Sequence, residues 1–299
     1  MIKNSISQLF YNEGCLLDGE KKFLHDCDRD IVLKYFEYYG VIIFRNFRHE
    51  LKNIINFTNI FTKTYANDAL RRNSRLENKK IKDVDVGNHK VDLHSEASFS
   101  PSWPEIIWFS CINPSNTNSG NTILCDGIKL WENLDLESKN FFLGNQIKYE
   151  LKIPFGKPQN GKGYKDWYLD EPGVENCKLN LNEGLVEFDF NRYAVVKTRI
   201  NNKLAFANHL IVTLESENQL FSRKTTKLKD IPESVMRDVN KKSEMLTYSF
   251  KWQKNDVLML DNRRFMHGRE KISKGDKRDI VNIQSLKTNF GFGHYIKNL

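Results

Sequence analysis

The stretch HSEASFSPSWPEIIWFSCINP, residues 94–114, decides how this chain reads. Its second half is β-branched and aromatic and is bounded by prolines, so a strand is expected over 104–112. Its first half carries His94 and Glu96. In an extended chain residues i and i+2 point to one face, so an imidazole nitrogen and a carboxylate oxygen can meet a single ion. Two ligands do not make a site. Of the other histidines, only His267 follows a hairpin-like stretch with a buried-type strand, KWQKNDVLMLDNRRFMHGRE at 251–270. Two histidines and one carboxylate leave three positions of an octahedral ion open, the arrangement associated with non-haem Fe(II) oxygenases.

Outward from this block, further strand-like runs are expected at 121–125, 146–153, 185–190, 193–199, 204–207, 247–252, 256–260 and 278–286. Turn signals such as Asn201-Asn202 and Lys274-Gly275-Asp276 separate them. Many short strands of this kind indicate an antiparallel barrel or jelly roll rather than a doubly wound parallel sheet. Helices are expected near 127–143 and 232–244. Upstream, apolar residues recur at helical spacing from Asp30 to Tyr39, closed by Gly40. The run 41–47 reads as a strand, and 51–61 as a second amphipathic helix. Residues 66–93 are polar and read as a long connection bordering a functional site.

The 299 residues are 39% hydrophobic and 28% charged, which fits one enzyme-sized domain and excludes global disorder. Apolar runs reach only about five residues, against the ~20 that a membrane span requires. The opening MIKNSISQLFYNEG lacks the apolar core of a secretory signal, and five cysteines without CxxC spacing suggest a reducing, cytoplasmic setting. The net charge is +8, but lysines are scattered and the clusters 71–82 and 224–229 lack stacking aromatics, so no nucleic-acid partner is expected.

Three separated blocks resemble the taurine dioxygenase/TfdA-type family of Fe(II)- and 2-oxoglutarate-dependent oxygenases. They are 94–127 with its HxE and Gly-x-Thr turn, YAVVKTRINNKLAFANHL at 193–210, and DVLMLDNRRFMHGREKISKGDKRDI at 256–280. The resemblance implies a mainly β fold with flanking helices (α+β) around a double-stranded β-helix, the jelly-roll or cupin-like core. One oxygenase domain over 1–299 is expected: helices and a strand in about 1–66, the jelly roll in about 91–290, and a lid or insertion at about 154–184. His94, Glu96 and His267 are the implied ligands of Fe(II), with 2-oxoglutarate taking two open positions and O2 the last. Arg278, eleven residues after His267, stands at the position of the family's cosubstrate arginine, where a guanidinium can hold a carboxylate with two parallel bonds. Thr122 can add a hydroxyl to the same carboxylate. Asn208 and Asn282 are the implied substrate contacts.

The implied reaction releases succinate and CO2 and hydroxylates an aliphatic C–H of a small polar metabolite, such as an amino acid or a derivative. A homo-oligomer is compatible with the reading. Asp126 is read as the N-cap of the helix that follows, not as a ligand. His209 is read as packing, and His25, His49, His89 and His294 as structural or exposed. Two departures matter. Glu96 stands where much of the family has Asp, and its presence speaks against halogenation. Asn282 stands where taurine-oxidising members carry a second arginine, which disfavours a sulfonate. Two other readings belong beside the oxygenase: a cupin-like metal enzyme with a non-oxidative activity, and a catalytically silent binding module.

Overall fold

The computed structural model describes residues 6–8, 14–66, 72–84, 87–154, 174–180, 185–198, 202–212, 220–227 and 229–290. The strands in chain order are β1 (Ile6–Gln8), β2 (Cys15–Asp18), β3 (Val41–Arg45), β4 (Thr62–Tyr65), β5 (Ser74–Arg75), β6 (Asn78–Asp83), β7 (Val91–His94), β8 (Ile106–Asn113), β9 (Thr122–Asp126), β10 (Ile147–Pro154), β11 (Val174–Asn180), β12 (Leu185–Arg192), β13 (Val195–Lys197), β14 (Leu204–Phe206), β15 (Leu220–Thr225), β16 (Tyr248–Phe250), β17 (Val257–Asp261), β18 (Phe265–Arg269) and β19 (Asp279–Thr288). The helices are α1 (Arg29–Tyr39), α2 (Ile54–Asn59), α3 (Gly127–Asn133), α4 (Leu136–Gly144) and α5 (Glu233–Leu246).

The larger sheet runs β1-β2-β3-β17-β8-β19-β6-β5, with β4 also paired to β19, and the smaller runs β16-β9-β18-β7. Strand alternation sorts their side chains into separate layers. Ile107 and Phe109 on β8, Leu258 and Leu260 on β17, and Leu124, Phe250 and Phe265 from the smaller sheet fill the space between the two sheets. The opposite parity of the larger sheet, Trp108, Met259, Val281 and Ile283, packs with Phe36 of α1 and Phe57 of α2. The outer face of the smaller sheet, Ile123, Cys125 and Met266, meets α3, α4, α5 and the sheet β11-β12-β10-β15. Two facing sheets with helices outside make the expected jelly roll. No closed barrel forms among the described residues.

Local chemistry sets the helix ends. Asp28 accepts from the backbone N–H of Asp30 and Ile31 at the start of α1, and Gly40, at φ 71°, closes it in the left-handed region that favours glycine. Asp126 caps α3 by accepting from Ile128 N at 2.9 Å. It also accepts from Arg264 through Nε at 3.1 Å and Nη2 at 2.5 Å, and Arg264 Nη1 donates to Tyr38 O at the end of α1. This buried pair ties both helices to the β17–β18 turn.

Several expectations are corrected. The polar connection 66–93 contains β5, β6 and β7. β5 and β7 are edge strands and β6 pairs β5 to the sheet, so their outward residues meet water: in β6 only Ile81 is fully buried. The helix expected over 127–143 is two helices, broken where Leu134 and Asp135 turn extended. The one expected over 51–61 is a 3-10 turn at Leu51–Asn53 followed by the short α2. Of the lid expected at 154–184, residues 155–173 and 181–184 lie outside the described residues, and Val174–Asn180 is the edge strand β11.

Candidate active site

His94 ends β7 and His267 sits in the middle of β18, and the two are direct register partners. The register shifts just beyond them, and Gly268 lies at that point. A Cβ on Gly268 would stand 2.4 Å from Val91 O and 3.0 Å from Asp92 O, so only glycine admits β7 this close. His94 Nδ1 lies 2.8 Å from Asp92 O, which fixes Nδ1 as the donor and turns Nε2 toward Glu96. That Nε2 is 3.5 Å from Glu96 Oε2, and His267 Nε2 is 3.9 Å from the same oxygen. The chain turns at Ala97, φ 53°, immediately after the carboxylate. One ligand atom from each of His94, Glu96 and His267 lies within 4.8 Å of the others, and all three residues are buried.

Burial opposes the charge on Glu96, yet Arg72, the hydrogen bond and charge of His94, and His267 together hold its carboxyl well below the usual range. Burial first, then the neighbouring His94, pushes His267 well below the ordinary imidazole value, so its ring is neutral at pH 7. A neutral imidazole and an ionised carboxylate are the protonation states that bind a metal. The Phe109 ring meets the edge of His267 at 5.3 Å, and His209 packs on His94 at 5.3 Å and on Phe99 at 4.7 Å.

The triad opens into a small pocket, about 40 Å³, that Thr122, Arg278 and Asn282 also line. Arg278 is half-buried, and its Nε finds no hydrogen-bond partner among the described residues. Burial, then the charge of Arg269, pushes its pKa down to about 10. Thr122 Oγ1 accepts from Trp252 Nε1 at 2.9 Å, which leaves its own hydrogen to donate. Asn282 is 3% exposed, and its Oδ1 has no partner among the described residues. A half-buried cation and a buried hydroxyl facing a triad of N and O donors suit a divalent ion with a carboxylate-bearing cosubstrate.

Asn208 is not brought to this cavity. Its Nδ2 donates to Ala194 O and its Oδ1 accepts from Leu210 N, both at 2.9 Å, so the side chain braces main chain rather than facing a substrate. Its carbonyl accepts from Ser95 N, which steadies the ligand loop.

Sequence reasoning missed three residues at the site. Arg72 Nη2 donates to Glu96 Oε1 at 2.9 Å, and Gln284 Nε2 donates to the same oxygen at 3.2 Å. Asn262, fully buried in the β17–β18 turn, accepts from Glu96 N at 2.8 Å and donates to Glu96 O at 3.0 Å. Gln284 carried a signal, since it shares the parity of Arg278 and Asn282. Arg72 carried none.

Two histidines and a glutamate on the inner face of a jelly roll, across a pocket from a half-buried arginine, form a donor set of the class that suits a divalent ion and a carboxylate-bearing ligand. The chain belongs to the taurine catabolism dioxygenase TauD, TfdA family, which it matches over residues 10–284. It is similar to 3-((Z)-2-isocyanoethenyl)-1H-indole synthase of Fischerella ambigua (strain UTEX 1903), 20% identical over 206 residues. That match covers 67% of this chain and 64% of the relative, just under two thirds of its length. Among solved structures, AAD-2 in complex with Mn(II) and N-oxalylglycine superposes with a TM-score of 0.65 at 16% identity, covering 97% of this chain and 99% of that one. PvcB, an Fe, alpha-ketoglutarate dependent oxygenase from an isonitrile synthetic pathway, gives 0.55 at 11% identity over 95% of this chain and 93% of the other. No helix among the described residues is long and apolar enough to cross a membrane.

Proposed function

We propose that His94, Glu96 and His267 hold Fe(II), that Arg278 and Thr122 bind the distal carboxylate of 2-oxoglutarate, and that the enzyme oxidises an aliphatic C–H of a small amino-acid-like metabolite. The convergence of the three ligands across one cavity from Arg278 carries this reading. When bound, the ion and cosubstrate supply the oxidising chemistry, with release of succinate and CO2. The protein's own residues do the rest. His94 and His267 present ring nitrogens, that of His267 neutral, and Glu96 offsets one metal charge. Arg278 gives the cosubstrate a fixed cation in a buried place, where a charge-assisted bond is strong. Thr122, held by Trp252, directs its hydrogen toward the same carboxylate. Phe109 closes one side of His267 against water. Asn282 offers an acceptor that suits an amino, amide or hydroxyl group, whereas a sulfonate would meet no second arginine at this position.

A second reading within the same chemistry is oxidation of a nitrogen-bearing precursor toward an isonitrile. It is favoured by the indole isonitrile synthase relative and by the likeness to PvcB. The two readings part in the product: hydroxylation adds one oxygen, and desaturation removes two hydrogens.

The test is anaerobic Fe(II) and 2-oxoglutarate loading, followed by exposure to O2 with a panel of amino acids, their N-substituted derivatives and taurine. Coupled succinate release and product mass are read. His94→Ala and His267→Ala should lose Fe(II) affinity and succinate formation, and full activity in either sinks the ligand assignment. If taurine stimulates turnover above every amino-acid derivative, the reading of Asn282 is wrong.

A further inference from the structure

The two oxygens of Glu96 have different surroundings. Oε2 faces the Nε2 atoms of His94 and His267, at 3.5 and 3.9 Å. Oε1 faces the other way and accepts two hydrogen bonds, from Arg72 Nη2 at 2.9 Å and from Gln284 Nε2 at 3.2 Å. The backbone beneath is fixed as well, because Asn262 bonds both the N–H and the C=O of Glu96. Ser95 Oγ donates to Asn262 O at 2.5 Å and accepts from Trp103 Nε1 at 2.7 Å, which locks the turn from both sides.

We propose that Gln284, acting with Arg72, is a positioning residue that restricts Glu96 to binding the metal through one oxygen. The inference rests on the ligand assignment above. A carboxylate turns easily about its last torsion, whose preference is broad and two-fold. Glutamate is one methylene longer than aspartate, so both of its oxygens can swing onto one ion. A second bound oxygen would fill one of the three positions that the site needs open. The donors on Oε1 oppose that swing: to bind through both oxygens, Glu96 must leave a charged and a neutral N–H that are buried with it. Arg72 and Glu96 side chains are only 8% and 10% exposed, so water cannot readily replace either bond.

The arrangement also explains how a longer ligand is tolerated where much of the family has aspartate. Gln284 is suited to the task because its N–H can donate without adding a second charge beside the imidazoles. It stands on β19 two residues beyond Asn282, and Arg278 leads directly into the strand, so this one segment carries the cosubstrate cation, the cavity amide and the ligand brace.

The test is metal binding to chelator-treated protein, with no turnover involved. Mn(II) is titrated into wild type, Gln284→Leu, Arg72→Gln and His267→Ala, with free ion read by electron paramagnetic resonance, and the Co(II) forms are compared by visible absorption. Gln284→Leu should bind Mn(II) about 10- to 100-fold more weakly, the range for lost outer partners of a metal ligand. Its Co(II) spectrum should shift toward higher coordination while the metal-free melting temperature holds. Arg72→Gln, which keeps a donor but not the charge, should show the same shift with a smaller loss of affinity.

Wild-type affinity and an unchanged Co(II) spectrum in Gln284→Leu overturn the proposal. Should that variant not fold, Arg72→Gln decides alone, since Arg72 comes from outside the β19 core, and an unchanged spectrum there overturns it equally. Failure of the ligand assignment has its own signature: His267→Ala would bind Mn(II) as tightly as wild type.

Discussion

Replacing Arg278 by methionine should move stability and cosubstrate affinity in opposite directions. The half-buried guanidinium lies near the charge of Arg269, its Nε has no protein partner among the described residues, and burial first, then Arg269, pushes its pKa down to about 10. At about 1.36 kcal/mol per pKa unit this corresponds to roughly 3 kcal/mol as an upper bound, and about 1–2 kcal/mol after discounting for its partial exposure. The sign follows from burial. The charge is present in both folded and unfolded chains at neutral pH, and only the folded one holds it in a dry place, so removing it relieves the folded state. Methionine fills most of the arginine stem and limits the packing loss. Metal-free Arg278→Met should therefore melt about 2–4 °C higher than wild type. The same change removes a charge-assisted pair with 2-oxoglutarate, about 1.5–3 kcal/mol, or a 10- to 150-fold weaker dissociation constant in anaerobic titration with Mn(II) present. Melting curves with and without 2-oxoglutarate should cross in order between the two proteins. A variant that is less stable without cosubstrate and binds it undiminished would refute the reasoning, since Arg278 would then be a structural partner of groups within the fold.

Asp126→Ala should cost about 3–5 kcal/mol in denaturant unfolding, because it strands Arg264 in the interior and uncaps α3. Asp126→Leu combined with Arg264→Met should recover most of that loss, and an equal loss in the double variant would show that the charge is not the cause. His267 sets a pH dependence in the metal-free protein. Its lowered folded-state pKa means that the unfolded chain binds the extra proton below about pH 6.5, so stability is full above that pH and declines as pH falls, by at most about 1.4 kcal/mol per unit. His267→Phe should flatten the decline between pH 6.5 and 5, a window above that of Glu96, and an unchanged slope would count against a neutral buried ring.

The parts of the site that were legible in the sequence are those set by local geometry. His94 and Glu96 share a face because the chain is extended there, and His267 follows a strand apolar enough to be buried on both sides. Asp126 announced its cap through the helical run behind it. What stayed hidden depends on contacts between distant segments. Arg72 reaches Glu96 only because an edge segment folds back over the ligand loop, and nothing in its neighbours' spacing foretells that. Asn208 was ambiguous for a similar reason: an amide at the end of an apolar strand suits a pocket or a main-chain brace equally, and here its side chain bonds Ala194 O and Leu210 N. Strands β5 to β7, at or next to the sheet edges, passed for a connection because their polar outward faces imitate a loop.

The two-sidedness of β19 has a consequence for how this enzyme can change. Ile280, Asn282 and Gln284 face the space between the sheets, while Val281 and Ile283 anchor the helical layer. Point substitutions at position 282 can therefore vary what the cavity accepts while leaving the helix-side packing untouched, so selectivity is free to drift with little penalty in folding. Insertion or deletion of one residue is a different matter. It would send the apolar pair into the cavity and carry the arginine and both amides under the helices, losing cosubstrate binding, ligand bracing and core together. Lineages descending from this chain should diversify along β19 by exchange of residues and keep its length.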